Sequence, residues 1–179
     1  QLKANGLKLD DVRHLVTDAG RLLPGFDLES HGVEFFVHSP FATRQDNNEL
    51  EVRNDDALVV QATFRVEGVD TKVLLLADIS HGVISDMVKV TEYHKNEARL
   101  EWDVIKIAHH CSYLSLGPEK GEDKTVPTDE VDWLLRDQGQ NGGILISTSK
   151  PIPEKGTAAD DDVQPPHRQA ANYYREIEK

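Results

Sequence analysis

The sequence predicts an α/β domain, and three features support this prediction. Short aliphatic runs in the later half alternate with stretches whose apolar residues recur at helical spacing. Two β-rich runs, at 57–66 and 72–78, are separated by the turn-like "EGVDT" and indicate a β-hairpin. Aliphatic strands that alternate with amphipathic helices are typical of a buried sheet. We therefore expect a β-hairpin followed by alternating strands and helices.

Each remaining element is predicted from its own signal. "VEFFVHSP" at 33–40 indicates a strand that Pro40 ends, and the polar residues 41–56 indicate an exposed loop. The later strands are predicted at 103–108 and 143–148. The helices are predicted at about 83–95, from the N-cap Thr128 to Gly139, and at 167–178 after Pro165 and Pro166. Residues 1–31 show no clear period, so we expect an irregular lead-in before one domain at 32–179.

The charge balance restricts the partners of the chain. Thirty-two acidic and 20 basic residues give a net charge of −12, which repels nucleic acid and anionic membranes at long range. A phosphate-bearing substrate would need a local positive feature such as a metal ion. The longest purely aliphatic run, at 73–77, is far too short to span a membrane, so no membrane partner is expected.

The cysteine content and the first residues bear on the compartment. A single cysteine excludes an internal disulfide and fits a reducing compartment, so a cytoplasmic location is expected. The opening "QLKANGLKLDD" lacks the apolar core of a signal peptide and begins with Gln. The chain is therefore expected to be processed or to be part of something longer.

Metal-ligand residue types follow the predicted strands. Asp78 ends one strand, and His109 and His110 end the next. Because the carboxyl ends of strands gather along one edge of an α/β sheet, these side chains are expected to meet. A carboxylate with imidazoles is ordinary chemistry for a divalent metal, Zn²⁺ first, with Mn²⁺ or Fe²⁺ as alternatives. Ser112 and Ser115 would cap a helix or donate hydrogen bonds to a bound anion.

Simpler interpretations stand beside this one. Asp78 would equally serve as the N-cap of the following helix. His109 and His110 could form a hydrogen-bonded structural pair, and His167 an exposed helix cap. Cys111 is either a small packing residue or a thiolate ligand. A Ser–His–Asp triad of Ser112, His110 and Asp78 is conceivable but lacks a nucleophile-elbow sequence.

The order of the motifs resembles a known family. "NDDALVV", "KVLLLAD" and "DVIKIAHHCS", followed by a strand and a Pro-His pair before a helix, resemble the carboxyl half of a metallo-β-lactamase-fold hydrolase. The most similar subgroup is the metallo-β-lactamase-like domain of competence proteins, which belong to DNA-uptake channels. The resemblance covers roughly residues 32–175 and implies half of an αββα sandwich. It implies that Asp78, His109 and His110 are metal ligands or catalytic residues and that His167 lies near the substrate.

The sequence also departs from the family pattern. Ala77 stands where the family has Gly before the aspartate, Cys111 stands where it has Gly after the histidines, and Pro166-His167 replaces His-Pro. The family's main motif, His-X-His-X-Asp-His, is absent from the sequence. In the family this motif belongs to the amino-terminal half of the sandwich. The resemblance therefore implies that a missing amino-terminal half or a partner subunit supplies the remaining ligands.

These observations lead to three hypotheses about function. The first is a metal-dependent hydrolase that attacks phosphodiester or other ester bonds, nucleic acid among them, through a metal-activated water. The second is a non-catalytic interaction domain that keeps the fold and has lost the metal centre. The third is an unrelated α/β hydrolase with a serine nucleophile. A half sandwich would leave one sheet face open, so the isolated chain is expected to need a covering partner.

Overall fold

The computed structural model describes residues 14, 16–40 and 55–177. Its strands are β1 (Arg21–Leu22), β2 (Val33–Ser39), β3 (Val59–Val66), β4 (Val69–Leu75), β5 (Trp102–Lys106) and β6 (Gly139–Ile146). Its α-helices are α1 (Leu28–His31), α2 (His81–Tyr93), α3 (Asp129–Arg136) and α4 (Arg168–Glu176). Most of the predicted loop at 41–56 lies outside the described residues.

The six strands form one open mixed sheet in the order β1-β2-β3-β4-β5-β6. Strands β1 to β4 pair antiparallel, whereas β4, β5 and β6 are parallel neighbours. The carboxyl ends of β4, β5 and β6 therefore lie at the same edge. This confirms the predicted α/β class and the predicted hairpin, since β3 and β4 pair directly.

The hairpin turn is shorter than the sequence suggested. Only Glu67 and Gly68 connect β3 to β4, with φ values of 52° and 81°. Positive φ at both central positions is the geometry that matches the twist of a hairpin, and Gly adopts it without strain. The two-residue turn lets β4 begin at Val69, whereas the sequence indicated position 72.

Helices α2, α3 and α4 contribute to a core on one face of the sheet. Alternate residues of the parallel strands, among them Leu74 and Ile105, are fully buried there. They belong to the same apolar cluster as Ile84 of α2, Leu134 of α3 and Tyr173 of α4. The apolar residues that alternate in the strands and those that recur at helical spacing thus pack into one core. We call this side the covered face.

The other side of the sheet, here called the open face, keeps apolar side chains in solvent. The register places Ala62, Val73, Val104 and Ile144 in one row across four strands of this face. Several apolar residues of the open face are exposed: Phe26, Leu58, Phe64, Val66, Val69, Leu75, Ile144 and Ile146. Within the row, Ala62 is 2% exposed and Ile144 is 56% exposed, so exposure increases towards β6.

The boundary between α3 and β6 differs from the prediction. Helix α3 starts after Thr128 as expected but ends at Arg136, and Gly139 begins β6 where it was expected to end the helix. A Cβ added at Gly139 would lie 2.5 Å from the Trp102 ring, and one at Gly143 would lie 2.8 Å from it. These two glycines therefore let β6 pack against the indole, which is a role in packing.

The amino-terminal region is more regular than the expected lead-in. It contains β1 and the short helix α1, which Asp27 caps through a 2.8 Å hydrogen bond from the Ser30 amide. Gly32 ends α1 with φ of 70°. None of the helices in the described part of the chain is long and apolar enough to cross a membrane.

Candidate functional site

The parallel arrangement of β4 and β5 brings Asp78 and His110 together. Both follow the carboxyl ends of these strands, and His110 Nε2 lies 3.3 Å from Asp78 Oδ2. The backbone N–H of His109 donates to the Ala77 carbonyl over 3.1 Å, which holds the two loops side by side. Both side chains of the pair are partly exposed, at 45% for His110 and 39% for Asp78. The expected meeting of these residues at one sheet edge is therefore present for Asp78 and His110.

Both ring nitrogens of His110 face oxygen atoms. Nδ1 lies 3.1 Å from the Thr148 carbonyl oxygen, which can only accept a hydrogen bond, and 3.3 Å from the Thr148 hydroxyl. A hydrogen on Nδ1 would donate to the carbonyl and leave the Nε2 lone pair beside the Asp78 carboxylate. A hydrogen on Nε2 would donate to Asp78 and leave Nδ1 to accept from the Thr148 hydroxyl.

In the tautomer with its hydrogen on Nδ1, the Nε2 lone pair and the carboxylate lone pair lie 3.3 Å apart and favour a cation between them. A metal ion fits this spacing, because ligands at 2.0–2.1 Å around a tetrahedral ion lie about 3.3 Å from each other. The contact of Nδ1 with Thr148 is the outer hydrogen bond that usually fixes a metal-binding imidazole. The pair therefore has the donor chemistry and the spacing for two metal ligands.

Lys106 adds a positive charge to the same edge. Its Nζ lies 3.9 Å from Asp78 Oδ1 and donates a 2.9 Å hydrogen bond to the Leu76 carbonyl. Burial lowers the pKa of Lys106, and the Asp78 carboxylate opposes that shift. Sequence reasoning missed Lys106, although a lysine inside the aliphatic "DVIKIA" was a usable signal. Sequence reasoning also did not predict the contact between Thr148 and His110, because that contact depends on the position of β6 beside β5.

The histidine turn has an unusual backbone. His109, His110 and Cys111 have φ values of 48°, 51° and 65°, so three consecutive residues with side chains occupy the left-handed region. This conformation costs about 1–2 kcal/mol per residue for L-amino acids. The turn is held by a hydrogen bond from the His167 amide to the Cys111 carbonyl, 3.0 Å long, and by the buried Cys111 side chain. Strain of this kind clusters at functional sites.

His167 is buried beside the histidine turn, and His109 is partly buried within it. His167 is 2% exposed, and its Nδ1 accepts a 3.4 Å hydrogen bond from the Tyr113 amide. Burial lowers the pKa of His167, and Lys120 and, to a smaller extent, His109 lower it further. Nδ1 of His109 and Nε2 of His167 are buried without a hydrogen-bond partner. Of the two adjacent histidines, His110 therefore contacts Asp78, whereas the Nδ1 of His109 is buried.

The predicted substrate-binding serines are buried within the loop. Ser112 Oγ accepts from the Leu114 amide over 3.3 Å and caps the short 3-10 helix Tyr113–Ser115. Ser115 Oγ donates to the Ser112 carbonyl over 2.7 Å. The capping role is thus observed for Ser112 alone, while contact of either serine with a substrate stays a prediction.

Two of the simpler interpretations are resolved by the geometry. The residue that caps α2 is Ser80, so Asp78 is not the N-cap. Ser80 in turn donates a 2.9 Å hydrogen bond from its hydroxyl to Asp55. Burial raises the pKa of the Cys111 thiol to about 12, so the sulfur packs as a neutral group.

The described part of the chain does not contain a complete metal site. Across residues 16–40 and 55–177, no group of three or more His, Cys, Asp or Glu side chains is arranged to hold a metal ion. Zinc sites in proteins use three or four such ligands. Asp78 and His110 alone could therefore supply only two of the ligands that such a site needs.

Comparison with protein-family models, with curated proteins and with solved structures finds no match to this chain. The resemblance to the metallo-β-lactamase fold therefore rests on the motifs of the sequence.

Proposed function

We propose that this chain is the carboxyl half of a metal-dependent hydrolase with a metallo-β-lactamase-like arrangement. The observation that supports this most strongly is the 3.3 Å approach of His110 Nε2 to Asp78 Oδ2, with Nδ1 already bonded to the Thr148 carbonyl. The substrate would carry a phosphodiester or another ester bond, nucleic acid among the candidates. In this proposal the sheet is one layer of an αββα sandwich.

Each residue at this edge of the sheet would have its own role in the proposed reaction. Asp78 and His110 would hold the ion, and Thr148 would fix the ring of His110 through its carbonyl. A bound Zn²⁺, Mn²⁺ or Fe²⁺ would supply activation of water and neutralisation of charge on the substrate. Lys106, 3.9 Å from Asp78, would add positive charge for an anionic substrate in a chain of net charge −12.

The rest of the site would come from a missing amino-terminal half or a partner subunit. Its ligands would complete the set that Asp78 and His110 begin. The open face supports this, because exposed Val66, Val69 and Ile144 offer apolar area that a second layer would cover. His109 and His167, with their unpartnered nitrogens, would lie behind the ligands and orient the turn.

Zinc titration of the chain tests the ligand pair. Calorimetry of the wild type should show one weak zinc site, because two protein ligands leave the other coordination positions of the ion to water. The Asp78→Asn and His110→Gln variants should each weaken binding by about tenfold or more. His94→Gln, which changes the exposed histidine at the C-cap of α2, is the matched control and should bind like the wild type. Equal zinc binding in all four proteins would refute the proposed ligands.

Thermal unfolding separates a ligand from a structural histidine. The His110→Ala variant should lose the zinc-dependent rise in melting temperature, while its melting temperature with chelator stays near that of the wild type. Zinc affinity should also fall as the pH drops through the imidazole range, because the ligand must be neutral. A variant that melts much lower in both conditions, beside a wild type indifferent to zinc, would assign the histidines to the fold alone.

A non-catalytic interaction domain is the second candidate, and one observation favours it. Fewer than three ligands are grouped in the described residues, while the open face is intact as a binding surface. Activity towards bis(4-nitrophenyl) phosphate that chelator removes would support the hydrolase. A chain that binds no zinc, and that stays inactive together with a partner covering the open face, would support the interaction domain.

A further inference from the structure

Strand β6 forms one edge of the sheet, and in the described part of the chain it pairs with β5 alone. The Ile146 carbonyl accepts a 2.9 Å hydrogen bond from the Ile107 amide, so residue 146 points its backbone groups towards β5. The backbone groups of successive residues in a strand point to opposite edges. Those of Leu145 and Ser147 therefore point away from the sheet, where they form a template for another strand.

This edge lacks the residues that usually protect an exposed strand. Charged residues, lysine above all, and proline normally block pairing at a sheet edge. Residues 138–149, which include β6, contain no Asp, Glu, Lys, Arg or Pro, although 29% of the chain is charged. The register shift between β5 and β6 lies before Ile144, so the strand is regular from there to its end. Two copies of a chain of net charge −12 can therefore approach along this strip without placing like charges opposite each other.

The side chains of β6 are complementary to themselves in an antiparallel pair. With Leu145 opposite Leu145 of a second copy, Ile144 of each copy lies opposite Ile146 of the other. These isoleucines are 56% and 44% exposed on the open face, so each covers the other in such a pair. Cross-strand contacts between side chains are what stabilise one strand against the next. This pattern indicates a second copy of the chain as the partner of the edge.

We propose that the chain forms a twofold-symmetric dimer through antiparallel pairing of β6 with β6 of a second copy. The two Leu145 residues lie at the twofold axis and exchange both of their backbone hydrogen bonds, so the two six-stranded sheets become continuous. The contact is short, and the expected dissociation constant is on the order of 100 µM. The dimer does not use Asp78 or His110 and is therefore independent of the proposed hydrolase function.

Cysteine cross-linking tests the register of the pair. Ile144→Cys and Ile146→Cys place thiols at directly opposed positions in an equimolar mixture of the two variants, close enough for a disulfide. In either variant alone the two thiols are diagonal neighbours, with Cα atoms about 7–8 Å apart. Mild oxidation of the mixture should therefore give about tenfold more covalent dimer on a non-reducing gel than oxidation of either variant alone. The wild type, whose one cysteine is the buried Cys111, gives the background.

Sedimentation equilibrium tests the edge itself. The wild type should show a monomer–dimer equilibrium as its concentration is raised to about 1 mM, tenfold above the expected dissociation constant. Ser147→Pro removes an outward-pointing amide that β5 does not use, and it should weaken dimerisation by about tenfold or more. Val69→Lys changes a valine that is 67% exposed on the open face away from β6. It is the matched control and should dimerise as the wild type does.

Four results would overturn the proposal. The first is a wild type that stays monomeric at about 1 mM. The second is a mixture of the cysteine variants that cross-links no better than each variant alone. The third is dimerisation of Ser147→Pro at the wild-type level. The fourth is loss of dimerisation in Val69→Lys, which would place the contact on the open face instead of the edge.

Discussion

The two faces of the sheet use the same kinds of residue and have different surroundings. On the covered face, Leu74 and Ile105 have no exposed surface, and helices α2, α3 and α4 enclose them. On the open face, Val69 and Ile144 keep 67% and 56% of their surface exposed. The difference shows that apolar periodicity in a strand records which residues share a face, while the elements that pack on that face decide whether it is buried.

Truncating one isoleucine on each face tests this comparison directly. Ile105→Ala should destabilise the chain by about 2–5 kcal/mol, because it leaves a cavity in the core. Ile144→Ala, one strand away on the open face, should change the free energy of unfolding by less than about 1 kcal/mol. Urea unfolding of both variants gives the two values. Comparable losses would mean that a second layer covers the open face under those conditions.

Acid should destabilise the covered face through His38. Its pKa falls to about 4 in the folded chain from an ordinary value near 6.5, so the unfolded chain binds more protons between these values. The stabilising contribution of the neutral ring is complete above about pH 6.5 and is lost as the pH falls towards 4. This corresponds to on the order of 3 kcal/mol, measured as stability against pH for the wild type and His38→Gln.

The control for this measurement is the exposed His94. His94→Gln should keep the pH dependence of the wild type, while His38→Gln should flatten it. Identical slopes for all three proteins would show that His38 is solvated in the folded state.

The stability of the histidine turn at the edge of the sheet should depend on how easily residue 110 adopts a positive φ. His110 has a φ of 51°, which glycine adopts without a steric penalty. His110→Gly should therefore be more stable than His110→Ala by about 1 kcal/mol, although both variants lose the ring. Urea unfolding of the two variants measures the difference. A more stable alanine variant would argue against the left-handed turn.

The smallest effect on stability is expected from a charge on the open face. Ile144→Lys should leave the melting temperature within a few degrees of the wild type, because the side chain is already half in solvent. It should reduce binding of the dye ANS and self-association at high concentration, because it interrupts the apolar patch. Light scattering and dye fluorescence report both. Unchanged association would place the contact surface elsewhere.

The candidate site was predicted from the sequence in part. Asp78 and the two histidines were expected at one edge because each follows a strand, and parallel pairing of β4 and β5 places Asp78 beside His110. The separate position of His109, whose Nδ1 is buried, could not be predicted. It depends on three left-handed residues, which their side chains disfavour and which the packing of α4 holds in place.

Local chemistry in the sequence determined the order of the strands along the chain, the β3–β4 hairpin, the N-cap at Thr128 and the residue types at the carboxyl edge. These features depend on neighbouring residues, whose spacing and turn preferences act over a few positions. The tertiary structure alone decided that His110 faces Asp78, that Gly139 begins a strand against Trp102, and that one face of the sheet stays open. Such features follow from contacts between residues far apart in the chain, and no local pattern encodes them.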